Sequence, residues 1–267
     1  GRAGEKGMFW QTRADDLIVK AMMGLLERNP AVPVEEIDDV AIAATTQQGD
    51  QGLTLGRTAG ILAGLPRHVP GFAIDRMCAG AMTAVTTTAG GIAMGSYNIV
   101  LAGGVEHMGR HPMGFNADPN PRFLAEKLVS ADALNMGATA ERLHDRFPHL
   151  TKERADAYAL RSQQKVAAAY EAGYIQPDLI PVSAKTAEGW TLATVDEAPR
   201  PETTLEGLAS LKTPFRPHGR VTAGNASGLN DGATICMLAS EEAAEQFGLG
   251  VKMTMVSFAF AGVEPEV

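Results

Sequence analysis

Cysteine is scarce in this chain: Cys78 and Cys236 are the two among 267 residues, and neither belongs to a C-x-x-C pair. Two isolated thiols offer no disulfide framework and suit a reducing compartment. Apolar runs of membrane-spanning length are missing, as is a basic stretch followed by an apolar one, so neither a spanning helix nor a secretory leader is expected and the cytoplasm fits best. Positive charge is also short, with 23 Lys and Arg against 31 Asp and Glu and a net charge of -8. No basic stripe forms, which argues against a nucleic-acid partner and leaves any anionic ligand to a local site. Internal repeats and low-complexity tracts are absent. What the chain does have is a 45% apolar content, enough to bury the core of one large domain or two modest ones.

The apolar residues alternate between two periods. Ile18, Met22, Leu25 and Leu26 lie at helical spacing, opened by Thr12 with Asp15 three residues on as an N-cap signal and stopped by Asn29-Pro30. Such a stripe reads as core, not as a cofactor contact. Strands are predicted at 40–44, 72–75 and 99–102, the last ending in Gly103-Gly104, with helices at 55–65 and 79–94 between them. This order predicts an α/β layer with a mostly parallel sheet and functional loops at the strand ends. From 110 to 220 frequent prolines interrupt the pattern, and the spacing there predicts only helices at 137–147 and 151–172. The chain then returns with an apolar run at 233–238, a helix capped by Ser240 and closed by Gly248, and a further strand at 251–260. The expected division is 1–114 for the first part of an α/β domain, 115–220 for an inserted loop domain, 221–250 for the return, and 251–267 for the start of another domain.

Cys78 falls where the strand at 72–75 feeds into the helix at 79–94. The first turn of a helix has unpaired N–H groups and a partial positive charge, which bias a thiol there toward thiolate. The Ala79-Gly80-Ala81 sequence that follows obstructs little, so a nucleophile facing a small electrophilic carbon is one reading. The other is that a free cysteine is a small hydrophobe and packs as one; Cys236, inside an apolar run, is read that way, as buried structure. A helix terminus contributes roughly 0.3 to 1 kcal/mol, and fuller activation takes a histidine partner. Six histidines are present, at 68, 107, 111, 144, 149 and 218, none in a triad-like context. A metal at Glu106, His107 and His111 is disfavoured because Pro112 breaks helical spacing. Gly90, Gly91 and Gly95 close a helix where a dinucleotide fingerprint would open one, so no such site is expected.

Three stretches carry a resemblance. Ile74 to Val85 is similar to the nucleophile segment of the thiolases (N-R-x-C-x-S/G-x-x-A), Leu101 to Gly109 to their G-G-x-E-x-M stretch, and Val221 to Ala233 to a third family motif, all in the right order. The resemblance implies a layered αβαβα fold with an inserted, mostly helical and irregular loop domain. It implies Cys78 as the residue that takes an acyl group during thiolytic cleavage of 3-ketoacyl-CoA, and Met136, Arg200, Ala223 and Ser227 as contacts for coenzyme A, which enters as a substrate; no cofactor or metal is implied. A guanidinium suits adenine or phosphate, and small side chains let a narrow pantetheine arm pass. Asn135 departs from the pattern, standing where many biosynthetic members carry His. Glu106-His107-Met108 and Arg200-Pro201-Glu202 lean toward the degradative, β-oxidation branch; a biosynthetic acetoacetyl-CoA enzyme and a non-catalytic CoA-binding or assembly module are the alternatives. A homodimer or homotetramer and a β-oxidation multienzyme partner also follow from the family. Its G-H-P, C-x-G and N-E-A-F motifs, which supply base, acid and an oxyanion-hole ligand, do not occur in residues 1–267. The resemblance therefore also implies a first strand upstream, a second half downstream, and no turnover by these residues alone.

Overall fold

A computed structural model describes residues 1–133 and 135–267. Its elements are α1 (Ala14–Arg28), β1 (Asp39–Ala43), α2 (Leu55–Leu62), β2 (Phe72–Ile74), α3 (Gly80–Ala93), β3 (Ile99–His107), α4 (Arg122–Ala125), α5 (Met136–Arg146), α6 (Lys152–Glu171), β4 (Val182–Thr186), β5 (Gly189–Ala193), α7 (Leu205–Ala209), β6 (Asp231–Ala239) and α8 (Glu241–Gln246). They fall into two units, one of residues 1–113, 180–197 and 229–258, the other of 114–179, 198–228 and 259–267.

In the first unit the sheet order is β2-β1-β3-β6. The crossovers through α2 and α3 make β2, β1 and β3 parallel, while β6 runs antiparallel to β3. Successive strand residues point to opposite faces. Val40, Ile42, Ile99, Leu101 and Val105 therefore meet Ile18 and Met22 of α1 and Leu55 and Ala59 of α2 on one face. Ala41 and Ala102 meet Ala84 of α3 on the other. The result is an α/β/α layering. Each large aliphatic fully buried here contributes about 1.5 to 3 kcal/mol over the exposed side chain, and helix α3 sits close because its partners are small. A Cβ on Gly80 would stand 2.9 Å from that of Ala43, and one on Gly104 3.1 Å from that of Ala81.

Several elements differ from the sequence-based expectation. Helix α1 begins after Arg13 without a side-chain cap; instead of Thr12, the distant Asp50 serves its first turn, Oδ2 accepting the Ala14 N–H at 3.1 Å. Strand β3 continues past Ala102 to His107 because β6 pairs with it along its whole length, from Ile99 opposite Ala239 to His107 opposite Asp231. Residues 251–260 form no strand among the described residues; Met253 and Val256 are about nine-tenths exposed. The stretch 115–220 is not one body either. A β4–β5 hairpin interrupts it, and residues 180–197 rejoin the first unit: Ile180 fills the space above Gly24, Val182 packs on the core, and the Glu197 carboxylate accepts the N–H groups of Arg2 and Met8.

The second unit is built differently. Helices α5, α6 and α7 start at true caps, with Asn135, Thr151 and Thr204 accepting first-turn N–H groups. Among its described residues Ala133, Leu208 and Val221 are the buried apolar ones, accompanied by buried Glu141, Asp156 and Thr222. Glu141 accepts the N–H groups of Arg220 and Val221 and an ion pair from Arg216 at 3.1 Å. This is why 221–228 stays with the second unit. Residues 259–267 do so as well, Glu266 accepting the Ser130 N–H at 2.8 Å.

Candidate active site

Cys78 lies in a single 3₁₀ turn, Met77–Ala79, between the end of β2 and the start of α3. Three local contacts shape that turn. Asp75 Oδ1 accepts the Met77 N–H at 2.7 Å, the Arg76 carbonyl accepts the Ala79 N–H at 3.0 Å, and Arg76 Nε donates to Thr83 Oγ1 at 2.9 Å. Met77 is pushed to φ +46°, a left-handed backbone that non-glycine residues seldom adopt. The thiol-bearing residue is exposed at the N-terminal end of a fourteen-residue helix, where the partial positive charge of the helix favours an anion. The small residues after it bring α3 onto β1 and β3.

The histidines near the sheet's upper end are otherwise occupied. His107 is fully buried; its Nε2 donates to the Phe9 carbonyl at 2.8 Å while Nδ1 accepts the Arg110 N–H at 3.1 Å. Glu106 accepts the Thr45 N–H and a Gln51 amide hydrogen. His111 Nε2 is bonded to Asp50, which also takes an ion pair from Arg110 at 3.1 Å. Burial alone would raise the Asp50 carboxyl, yet the His111 and Ala14 hydrogen bonds and the Arg110 charge hold it below the usual carboxylate range. No histidine is hydrogen-bonded to Cys78 among the described residues. Cys236, expected to be buried, belongs to an exposed residue on β6, but its sulfur turns in against the Ala102 carbonyl at 3.4 Å. Burial of that sulfur pushes the thiol up, away from thiolate.

The four residues proposed for coenzyme A all belong to the second unit, and Cys78 to the first. Met136 is the exposed first residue of α5, and the departure at Asn135 acquires a physical role: its Oδ1 caps that helix through Gly137 and Ala138. Arg200, Ala223 and Ser227 are exposed. The Arg200 guanidinium makes no hydrogen bond among the described residues, whereas its N–H donates to Gln163 Oε1 at 2.8 Å. Ser227 donates to the Gly228 carbonyl at 3.1 Å. Polar side chains tie these segments together within the unit: Glu141, on the same helix as Met136, grips 220–221, and Asp156 on α6 grips Asn225 at 2.9 Å. Sequence reasoning missed Glu141, Asp156 and Gln163, which sit among the ordinary charged and amide residues of amphipathic helices and carry no local signal.

Comparison with known proteins bears on the family and the fold. Residues 2–242 match the family described as "Thiolase, N-terminal domain". A 3-ketoacyl-CoA thiolase from Aliivibrio fischeri is 38% identical over 265 residues, covering 98% of this chain and 68% of the relative. A β-ketoadipyl-CoA thiolase from Pseudomonas knackmussii is 40% identical over 287 residues, covering 100% and 70%. Among solved structures, human mitochondrial 3-ketoacyl-CoA thiolase superposes with a TM-score of 0.80 at 31% identity, over 92% of this chain and 65% of that one, and its complex with CoA with a TM-score of 0.79 at the same identity, over 92% and 64%. The chain thus spans about two thirds of the length of the proteins it matches. The match over residues 2–242, together with relatives 38 and 40% identical over nearly the whole chain and a solved structure that shares its α/β layer, identifies the chain as a member of the thiolase family of acyltransferases.

Proposed function

We propose that Cys78 is the nucleophile of a thiolytic acyl transfer in the protein that carries this chain. Its thiol proton passes to the enzyme's base and Sγ attacks the keto carbon of a 3-ketoacyl-CoA; the bond between C2 and C3 breaks, the electron pair leaves with the acetyl-CoA enolate, which takes a proton from the enzyme's acid, and the acyl group stays on sulfur. The sulfur of free CoA, its thiol proton taken by the enzyme's base, then attacks that thioester; the bond from the acyl carbon to Cys78 Sγ breaks, the cysteine leaves as thiolate and regains a proton, and the product is a shortened acyl-CoA. The observation that carries this reading is the exposed Cys78 in its strained turn at the start of α3. Met136, Arg200, Ala223 and Ser227 hold the CoA moiety as substrate, and the reaction draws on no other cofactor. The family resemblance places base, acid and oxyanion donors in motifs that residues 1–267 do not contain, so these residues alone are expected to accept an acyl group without sustained turnover. A cytoplasmic homodimer or homotetramer, with a β-oxidation partner, completes the reading on the same ground.

After incubation with an acyl-CoA, mass spectrometry should find the adduct on Cys78 and none on Cys236; a label on Cys236 overturns the assignment. The relatives named for β-ketoadipyl-CoA favour a second reading of the substrate, a dicarboxylic 3-keto thioester. Competition between 3-ketoadipyl-CoA and an unbranched 3-ketoacyl-CoA of equal length for Cys78 separates the two.

A further inference from the structure

Arg200 and the 222–227 turn are gripped by one helix. Asp156 and Gln163 stand seven residues apart on α6, a spacing that puts both on the same side, about 10 Å apart along the axis. The Asp156 side chain is buried, and both its oxygens are used. Oδ1 accepts from Asn225 Nδ2 at 2.9 Å, and Oδ2 accepts from Lys152 Nζ, one turn earlier, at 2.5 Å. Lys152 also donates to the Leu208 carbonyl at 3.0 Å. Asn225 passes the constraint on: its Oδ1 accepts the Thr222 N–H at 2.8 Å, and Nδ2 donates to the Arg220 carbonyl at 2.9 Å. Ala223 and Ser227 flank this clamped residue, while Gln163 holds the backbone of Arg200. Among the described residues neither Asp156 nor Gln163 bonds to a side chain of the four CoA residues; Gln163 holds the Arg200 N–H directly, and Asp156 holds the 222–227 turn through the Asn225 side chain.

We propose that Asp156 and Gln163 are positioning residues for coenzyme A, with α6 as the template that sets the spacing between Arg200 and the Ala223–Ser227 turn. This rests on the CoA reading above. A fully satisfied buried polar network is rigid, and a bound thioester that must touch both segments gains affinity when their separation is set beforehand.

The test is alkylation of Cys78 in this chain by a haloacetyl thioester of CoA. The Cys78 sulfur displaces halide, a carbon–sulfur bond forms, and the thiol proton goes to solvent. Rates are followed against reagent concentration, with free CoA as competitor. Asp156→Asn and Gln163→Ala should each raise the half-saturating concentration about fivefold, the value of one net hydrogen bond. The maximal rate should stay within about twofold, as should the rate with iodoacetamide, which needs no CoA site. Gln163→Glu, which keeps an acceptor for the Arg200 N–H, should return half-saturation toward the wild-type value. A purely stabilising role would lower the melting temperature and leave half-saturation alone, and that result overturns the proposal. Gln163→Ala, at a half-buried helix position, decides by itself where Asp156→Asn does not fold. A wild-type chain that shows no saturation overturns both readings; a saturating wild type with unchanged variants overturns this one alone.

Discussion

The two units solve the same problem with different materials. The first buries aliphatic side chains on both faces of a sheet, with Ile18, Met22, Ile42, Leu55, Ile99 and Leu101 almost wholly out of water. In the second, buried carboxylates do much of that work: Glu141 and Asp156 lie inside it and gather backbone N–H groups and cations around them. An aliphatic core degrades gradually, because a neighbour can relax into lost volume. A carboxylate hub does not, since its removal leaves several donors unsatisfied at once.

The largest expected effect tests that contrast directly. Glu141→Ala orphans the N–H groups of Arg220 and Val221 and breaks the Arg216 pair, and should cost about 4 kcal/mol. Hydrogen exchange should quicken across 136–171 and 198–228 while the sheet stays protected; equal quickening in β1 and β3 would show that the units do not differ in this way. Leu101→Ala should cost about 3 kcal/mol and produce the reverse exchange pattern, with β1, β3 and α1 affected and α5 and α6 spared. A smaller effect belongs to the polar island within the first unit. The Asp50 carboxyl is held below its usual range, so the stabilisation is complete above the unfolded value of about 3.9 and fades as pH falls through the lower folded value. Asp50→Asn should therefore melt lower than wild type by about 1 kcal/mol at pH 7, and the gap should close below about pH 4. A gap that does not narrow at all as pH falls below about 4 would mean the carboxylate charge is not what holds α1 and His111.

Much of the first unit was legible because its signals are local. The stripe of α1, the apolar run that opens β3 and the Ser240 cap each depend on neighbours a few residues away, and the strand-to-helix turn at Cys78 follows from the same reading. What escaped depends on distant partners. Asp50 reaches Ala14 across 36 residues, and Ile180 is placed by Gly24 of α1. Strand β5 carries exposed Trp190, Thr191 and Leu192 in succession and so lacks the buried face that announces a strand. Conversely, 251–260 has the composition of a strand and finds no ladder. Among the candidate site residues Cys78 is singled out by its motif, whereas the proposed roles of Asp156 and Gln163 became visible only when their partners at 225 and 200 were brought to one helix.

The closeness of β3 and β6 bears on how this lineage can change. A Cβ on Gly103 would stand 2.1 Å from the Thr234 carbonyl oxygen, whereas one on Gly90 in α3 would meet nothing within 4 Å. Under drift, position 90 is open to alanine and position 103 is shut to every other residue. Gly103 belongs to the stretch by which the family is recognised, yet what holds it in place is backbone contact, not chemistry. A descendant that had lost its acyl-transfer activity would still be forced to keep that glycine, so its presence in a distant sequence testifies to ancestry and shape and leaves the reaction to be judged at Cys78.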